Sequence, residues 1–282
     1  MKQGEQKTDV FPISFFGRMR IGSAWGLAAI FYLALPVAAN AQYGYKINPD
    51  DTITITNYTG AGGDVVIPSN IAGRIVSSIG TSAFSQCASL KSVTIPDSVT
   101  MLEDHAFYHC TSLTSVITGN GVVSIGDFSL MLCTSLTSVV MGSNVASIGT
   151  SAFRECYVLP SITISSNITS IGASAFEHCE NLIRTTIPDS VTNMQQRTFY
   201  DCDSLKSIVI GNGVTSIGSE TFKNCLNLTN AIIGSSVTSI GGDAFNNCQG
   251  LINITIPSSV TNIMYRAFAN CSGLINAVIG NH

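Results

Sequence analysis

The sequence predicts a repeat solenoid built from 23-residue coils, and three observations predict it. All nine cysteines, Cys87, Cys110, Cys133, Cys156, Cys179, Cys202, Cys225, Cys248 and Cys271, are spaced by 23 residues. Three residues after each stands a leucine: Leu90, Leu113, Leu136, Leu159, Leu182, Leu205, Leu228, Leu251 and Leu274. Three residues before each stands Phe84, Phe107, Phe153, Phe176, Phe199, Phe222, Phe245 or Phe268, with Leu130 the one substitution. A fixed period in this range is the signature of stacked supersecondary units that cannot bury their apolar faces alone. In the commonest letters the unit reads S-I-G-x-x-A-F-x-x-C-x-x-L-x-x-V-x-I-P/G-x-x-V-T.

The first segment, residues 1–41, reads as an N-terminal extension and signal peptide. Arg18 and Arg20 lead into an apolar run from Ala24 to Val37, interrupted by Pro36 and closed by Ala39-Asn40-Ala41, which places cleavage before Gln42. The run is shorter than the ~20 residues needed to cross a bilayer, so no membrane span is expected after cleavage. Met19 offers an alternative start, which would make Met1 to Arg18 an upstream extension. Residues 42–78 stand off the lattice: Thr52-Ile53-Thr54-Ile55-Thr56 alternates like a strand, and Tyr58 to Gly63 reads as a turn. Terminal repeats must cover the open end of the core, so this segment is expected to be the N-terminal cap.

Residues 79–282 form the solenoid of about nine repeats. Within one unit, Leu90, Val93 and Ile95 mark a short strand buried on one face. Pro96, or Gly119, Gly142, Gly211 and Gly234 in its place, ends that strand by removing a donor or permitting unusual dihedrals. Val99 and Leu102 return inward, and Gly80, Gly126, Gly149, Gly172, Gly218 and Gly241 mark the next corner. Ala83, Phe84 and Cys87, at i, i+1 and i+4, fit one face of a single helical turn. Stacked coils would pair their strands in a parallel sheet ~4.8 Å apart, giving a rod on the order of 45 Å long. No C-terminal cap is read, because Gly280-Asn281-His282 matches the mid-repeat Gly211-Asn212-Gly213. Either the natural protein continues, or a bare edge is left for end-to-end self-association. Units with Pro96, Pro188 and Pro257 carry Glu103, Gln195 and Met264 at the corner, a longer pattern that points to copying of a multi-repeat block.

The unit resembles the BspA-like (Treponema-type) leucine-rich repeats of bacterial surface proteins, which share A-F-x-x-C-x-x-L-x-x-V-x-I-P. The resemblance covers about residues 65 to 282. It implies a curved leucine-rich-repeat solenoid with the parallel β-sheet on the concave face and short helical turns and strands on the other sides. It also implies export to the cell surface and adhesion to proteins or other cells, with no common enzymatic activity. The chain departs at Leu130, at the glycine-type strand ends and in having no recognisable surface-anchoring domain.

Composition narrows the function further. The chain has 45% hydrophobic and 11% charged residues and a formal net charge of -4, with no basic stripe to neutralise phosphates, so nucleic acid is not an expected partner. The cysteines share one inward position and form no Cys-x-x-Cys pair, so a buried structural ladder is expected, with no disulfides, metal or cofactor. His109 and His178 each precede a cysteine, but a cysteine pointing inward sends its neighbour outward, and catalysis is not expected. Asp97 and Asp189 share a turn position with Asn120, Ser143, Ser166, Asn212, Ser235 and Ser258, where short polar residues stabilise turns.

The informative positions are the outward ones on the strand. One column runs Ser92, Ser115, Ser138, Ser161, Arg184, Ser207, Asn230, Asn253 and Asn276; the next runs Thr94, Ile117, Val140, Thr163, Thr186, Val209, Ile232, Thr255 and Val278. Ile117 with Val140, and Val209 with Ile232, would lie side by side as small apolar patches among hydroxyls. These columns are the expected ligand-binding surface, and a protein ligand is the expected partner. Polysaccharide is the alternative, disfavoured by the lack of aromatic rings for sugars to stack on. A structural surface component assembling through its uncapped end is a third reading.

Overall fold

The computed structural model describes residues 41–280; the expected leader, apart from Ala41, lies outside them, as do Asn281 and His282. Each coil turns through three sides. The first carries the long strands Leu90–Thr94, Ser115–Ile117, Ser138–Val140, Arg184–Ile187, Ser207–Ile210, Asn230–Ile232, Asn253–Ile256 and Asn276–Ile279. All pair in parallel with partners 23 residues apart, as Ser92 with Ser115 and Val209 with Ile232. The second side carries two-residue strands, among them Met101–Leu102, Ser124–Ile125, Ser147–Ile148 and Ser170–Ile171, stacked with the same offset.

The inward columns close the core. Leu90, Val93, Ile95, Val99 and Leu102 are all buried, as are most of their counterparts in the middle coils, while Val139 and Met141 are half-buried. Phe84, Phe107, Phe153, Phe176, Phe199, Phe222 and Phe245 are fully buried. From Phe153 to Phe268 the rings form an unbroken stack with centroids 5.1 to 5.6 Å apart. Each such pair contributes ~0.5–1.5 kcal/mol beyond burial of its area. Leu130 separates this stack from the shorter one of Tyr58, Phe84 and Phe107.

The third side is not the expected helical turn. From Ser82 to Cys87 the backbone makes consecutive tight turns: Ala83, Ser85 and Cys87 N–H groups bond three residues back, to Gly80, Ser82 and Phe84. The alternate N–H groups of Ser82, Phe84 and Gln86 leave the coil and bond Asp104, Ala106 and Tyr108 of the next at 2.7 to 3.0 Å. Left-handed residues produce the alternation, two per coil, as Ser82 (φ 58°) and Gln86 (φ 61°). A single helical turn would leave its first four N–H groups without partners inside the helix, whereas the neighbouring coil supplies a carbonyl for each outward one. The price is left-handed backbone at non-glycine residues, least costly at the Asp201, Asn224, Asp243, Asn247 and Asn270 positions.

The corner glycines serve close approach and not unusual dihedrals. Neither Gly126 nor Gly142 has positive φ; a Cβ would lie 2.7 Å from Leu102 O on the former and 2.2 Å from Gly119 O on the latter. Stacked backbones leave no room there for a side chain.

Residues 53–78, off the lattice in sequence, follow the coil path in space. Ile53–Tyr58 pairs in parallel with Arg74–Ile79, and Gly63–Val66 with Leu90–Thr94. The offset to the next coil is 23 at Ile53 and Val76, 24 at Ile55 and Ile79, and 28 at Val65 and Val93. A shortened third side and an added hairpin at Asn70–Ile71 account for the drift. Tyr43–Ile47 pairs antiparallel on the outer edge of Ile53–Tyr58, and Tyr58 stacks on Phe84 at 4.7 Å, taking the first place in the aromatic column.

The long-strand sheet is split at one coil. In that column Thr114 N–H bonds Lys91 O and Thr137 N–H bonds Thr114 O, but the next residue is Pro160, which has no N–H to give. Strand pairing there falls to an isolated bridge between Ser161 and Arg184, while Leu159, Ile162 and Ile164 stay buried.

Candidate functional site

The long strands alternate, so their outward residues form two columns on one face. Ser138, Ser161, Arg184, Asn230, Asn253 and Asn276 are exposed in the first, and Ser92, Ser115 and Ser207 are half-buried. In the second, Thr94 is half-buried and Thr163, Thr186, Thr255 and Val278 are exposed. Val140 lies beside Ile117 and Val209 beside Ile232 in strand register. These four are 53%, 42%, 36% and 52% exposed, so two apolar pairs stand open on the face.

The structure adds residues that lie beyond the visible lattice. Asp64 extends the first column by one coil, accepting a hydrogen bond from Ser92 Oγ at 2.6 Å, and Val66 extends the second beside Thr94. At the other end Asn276 Nδ2 donates to Asn253 Oδ1 at 3.0 Å. The alternation in Asp64-Val65-Val66 was the available signal.

Two depressions interrupt the face. One, of 320 Å³, lies at the Pro160 break among Ser161, Thr163, Arg184, Thr186, Ser207 and Val209. The other, of 220 Å³, is lined by Asn230, Ile232, Asn253, Thr255 and Pro257 where Ala231 takes an inward position that larger side chains, Val, Ile or Thr185, hold in the preceding coils.

The cysteines carry no such surface. Cys110 through Cys248 are buried, Cys87 and Cys271 at the two ends are half-buried, and all nine are free thiols. Each thiol from Cys110 onward donates to the carbonyl of a phenylalanine, or Leu130, in the preceding coil, as Cys110 Sγ to Phe84 O at 3.0 Å and Cys202 Sγ to Phe176 O at 3.1 Å. Burial pushes the Cys110 and Cys179 thiols up to about 12, so neither is a nucleophile at neutral pH.

His178 has oriented neighbours: Nδ1 lies 3.4 Å from Asp201 Oδ2, and Nε2 lies 3.8 Å from Glu177 Oε1. The Cys179 thiol turns instead to Phe153 O, so no Cys-His pair forms. His109 is exposed, and Cys110 turns inward beside it. Asp97 and Asp189 accept the backbone N–H of Asn120 and Asn212, each at 2.7 Å, in the coil above, and those asparagines accept from Ser143 and Ser235. The turn column is a staircase of side-chain-to-backbone bonds. Among the described residues no group of three or more His, Cys, Asp or Glu side chains is arranged to hold a metal. No described helix is long and apolar enough to cross a membrane.

The comparisons agree with this geometry. The BspA type leucine rich repeat region, in six copies, matches residues 64–183 and 170–282. A leucine-rich repeat protein of T. pallidum is 28% identical with a TM-score of 0.55, over 75% of this chain and 88% of that one. A leucine-rich repeat protein from Bacteroides ovatus is 21% identical with a TM-score of 0.40, over 85% of this chain and 89% of that one. No curated protein matches. With its nine-cysteine lattice, its parallel 23-residue coils and a family match running from residue 64 to residue 282, the chain belongs to the BspA-type leucine-rich-repeat family.

Proposed function

We propose that the chain is an exported, non-catalytic interaction module that takes a protein ligand on its long-strand sheet. The observation that carries this reading is the pair of outward columns: hydrogen-bonding serine, threonine and asparagine side by side with the open apolar pairs Ile117 with Val140 and Val209 with Ile232. Interfaces combine such apolar anchors with a polar rim. Export is supported by the leader pattern ending at Ala41 and by the surface location typical of the family; N-terminal sequencing of the secreted protein should begin at Gln42.

Polysaccharide is the weaker partner, because neither column carries an aromatic ring. Protein and glycan arrays identify the ligand class. Alanine at Ile117, Val140, Val209 and Ile232 together should then reduce capture of the array ligand at least tenfold, while each exposed site changes stability by only about 0.5 kcal/mol. Capture that survives the four alanines discards the sheet as the binding face.

A further inference from the structure

We infer that the ligand is an extended peptide segment whose carboxylate docks on Arg184 between the two apolar pairs. This inference rests on the long-strand sheet being the binding face.

Arg184 is the one charged side chain in the two outward columns between Ser92 and Val278. The other four described arginines are neutralised within the protein. Arg74 pairs with Asp51, Arg154 with Glu155 and Glu177, Arg197 with Glu220, and Arg266 with Asp243. In each case one carboxylate sits 23 residues away, on the neighbouring coil. At those positions Arg184 has Ser161 and Ser207 instead, and it makes no ion pair with any described residue. Arg184 is exposed on the face that the columns define.

The site beside it suits a carboxylate. Pro160 opens the sheet there, and the 320 Å³ depression places the hydroxyl-bearing Ser161, Thr163, Thr186 and Ser207 around Arg184. A guanidinium takes a carboxylate through two parallel N–H bonds, and hydroxyls can donate to oxygens the fork leaves free.

The spacing argues for a peptide. The centres of the two apolar pairs are four coils apart, roughly 19 Å at ~4.8 Å per coil, and Arg184 lies between them. An extended chain covers that span in about six residues at ~3.3 Å each. The complementary segment therefore carries an acid between two apolar side chains. An acidic polysaccharide would satisfy Arg184 and leave both pairs unused.

The test uses the full chain and two fluorescein-labelled nonapeptides, each with leucines six residues apart and either glutamate or glutamine between them. Fluorescence anisotropy should show the glutamate peptide binding about tenfold more tightly at low salt, the scale of a charge-assisted bond. The preference should vanish in Arg184→Gln and partly survive in Arg184→Lys, which keeps the charge and loses the fork. Equal binding of the two peptides, or a preference that persists in Arg184→Gln, overturns the inference. So does a polyuronate that binds through Arg184 and is indifferent to the four-alanine variant, since the cation then serves a sugar acid. If both peptides bind equally and both are lost in the four-alanine variant, the carboxylate fails while the binding face stands. Binding of neither peptide overturns the inference alone, and the array experiment judges the face independently.

Discussion

On the N-terminal side of Pro160 the long-strand sheet presents Asp64, Ser92, Ser115 and Ser138 in its first outward column; on the C-terminal side it presents Arg184, Ser207, Asn230, Asn253 and Asn276. The two halves are separate sheets, Ser161 of the intervening coil being held to Arg184 by one isolated bridge, yet the coils stay stacked across the break. On the third side Leu132, Ser151 and Phe153 still bond Arg154, Ala173 and Ala175, and on the second Thr169 still bonds Ala146. The short-strand sheet also lapses once, between Asn193–Met194 and Ser216–Ile217, in a different coil. The comparison teaches that the solenoid is held by its inward columns and by three independent ladders, so that any one ladder can open locally. An open ladder on the long-strand side is what creates the depression beside Arg184.

The largest test of that view is in the aromatic column. Phe176 has a ring above and below it, Phe153 and Phe199, whereas Phe107 has only Phe84, because Leu130 follows. Phe176→Ala should destabilise by about 3–5 kcal/mol in urea denaturation. Phe107→Ala should cost less, by the ~0.5–1.5 kcal/mol of one missing ring contact. Equal losses would mean that stacking adds nothing to burial.

The thiol ladder gives a second contrast. Cys179→Ala removes a fully buried donor to Phe153 O and should cost about 1 kcal/mol, while the half-buried Cys87, which has no such bond, should tolerate alanine. Burial raises the Cys179 thiol from the ordinary 9.0 to about 12. The unfolded chain therefore releases this proton before the folded chain does. Stability is undiminished below pH 9 and falls as pH climbs toward 12, by about 1.4 kcal/mol per unit for each such thiol. Denaturation at pH 8, 9.5 and 11 should show the decline, and Cys179→Ala should lessen its slope by about one proton.

The smallest effect concerns the break itself. Pro160→Thr restores the residue found at Thr114 and Thr137 and returns the N–H that Thr137 O lacks as a partner. The gain of ~0.5–1.5 kcal/mol from one bond is offset by greater freedom of the unfolded chain. Hydrogen exchange is the sharper readout: amides of residues 161–164 should become protected. Protection unchanged from the parent would show that the proline is not what splits the sheet.

Much of this was legible in the chain. Residues 23 apart lie over one another, so the inward columns, the parallel register and the two outward columns follow directly from the cysteine lattice. The ion pairs were equally legible, since all four arginine partnerships span 23 residues and Arg184 faces serines at that distance. Pro160 stood alone in a column otherwise made of threonine, lysine and isoleucine, a readable mark of a missing donor. The third side was not legible: Ala83, Phe84 and Cys87 have a spacing that suits a helical turn or a run of tight turns alike. Residues 53–78 were hidden because their third side is short, which puts the letters after it off the period until the inserted hairpin brings the offset back to 23 at Ser78 and Ile79.

By itself, then, the sequence determined which side chains are inside, because burial of a periodic apolar set depends only on the period. It also determined which residues neighbour one another across coils. Only the tertiary structure decided where the backbone N–H groups go, because their acceptors are carbonyls on the adjoining coil. That choice set the left-handed turns of the third side, the thiol bonds to phenylalanine carbonyls and the opening at Pro160. The depth of the face around Arg184 follows from that opening, since it depends on hydrogen bonds that a neighbouring coil either accepts or leaves unmade.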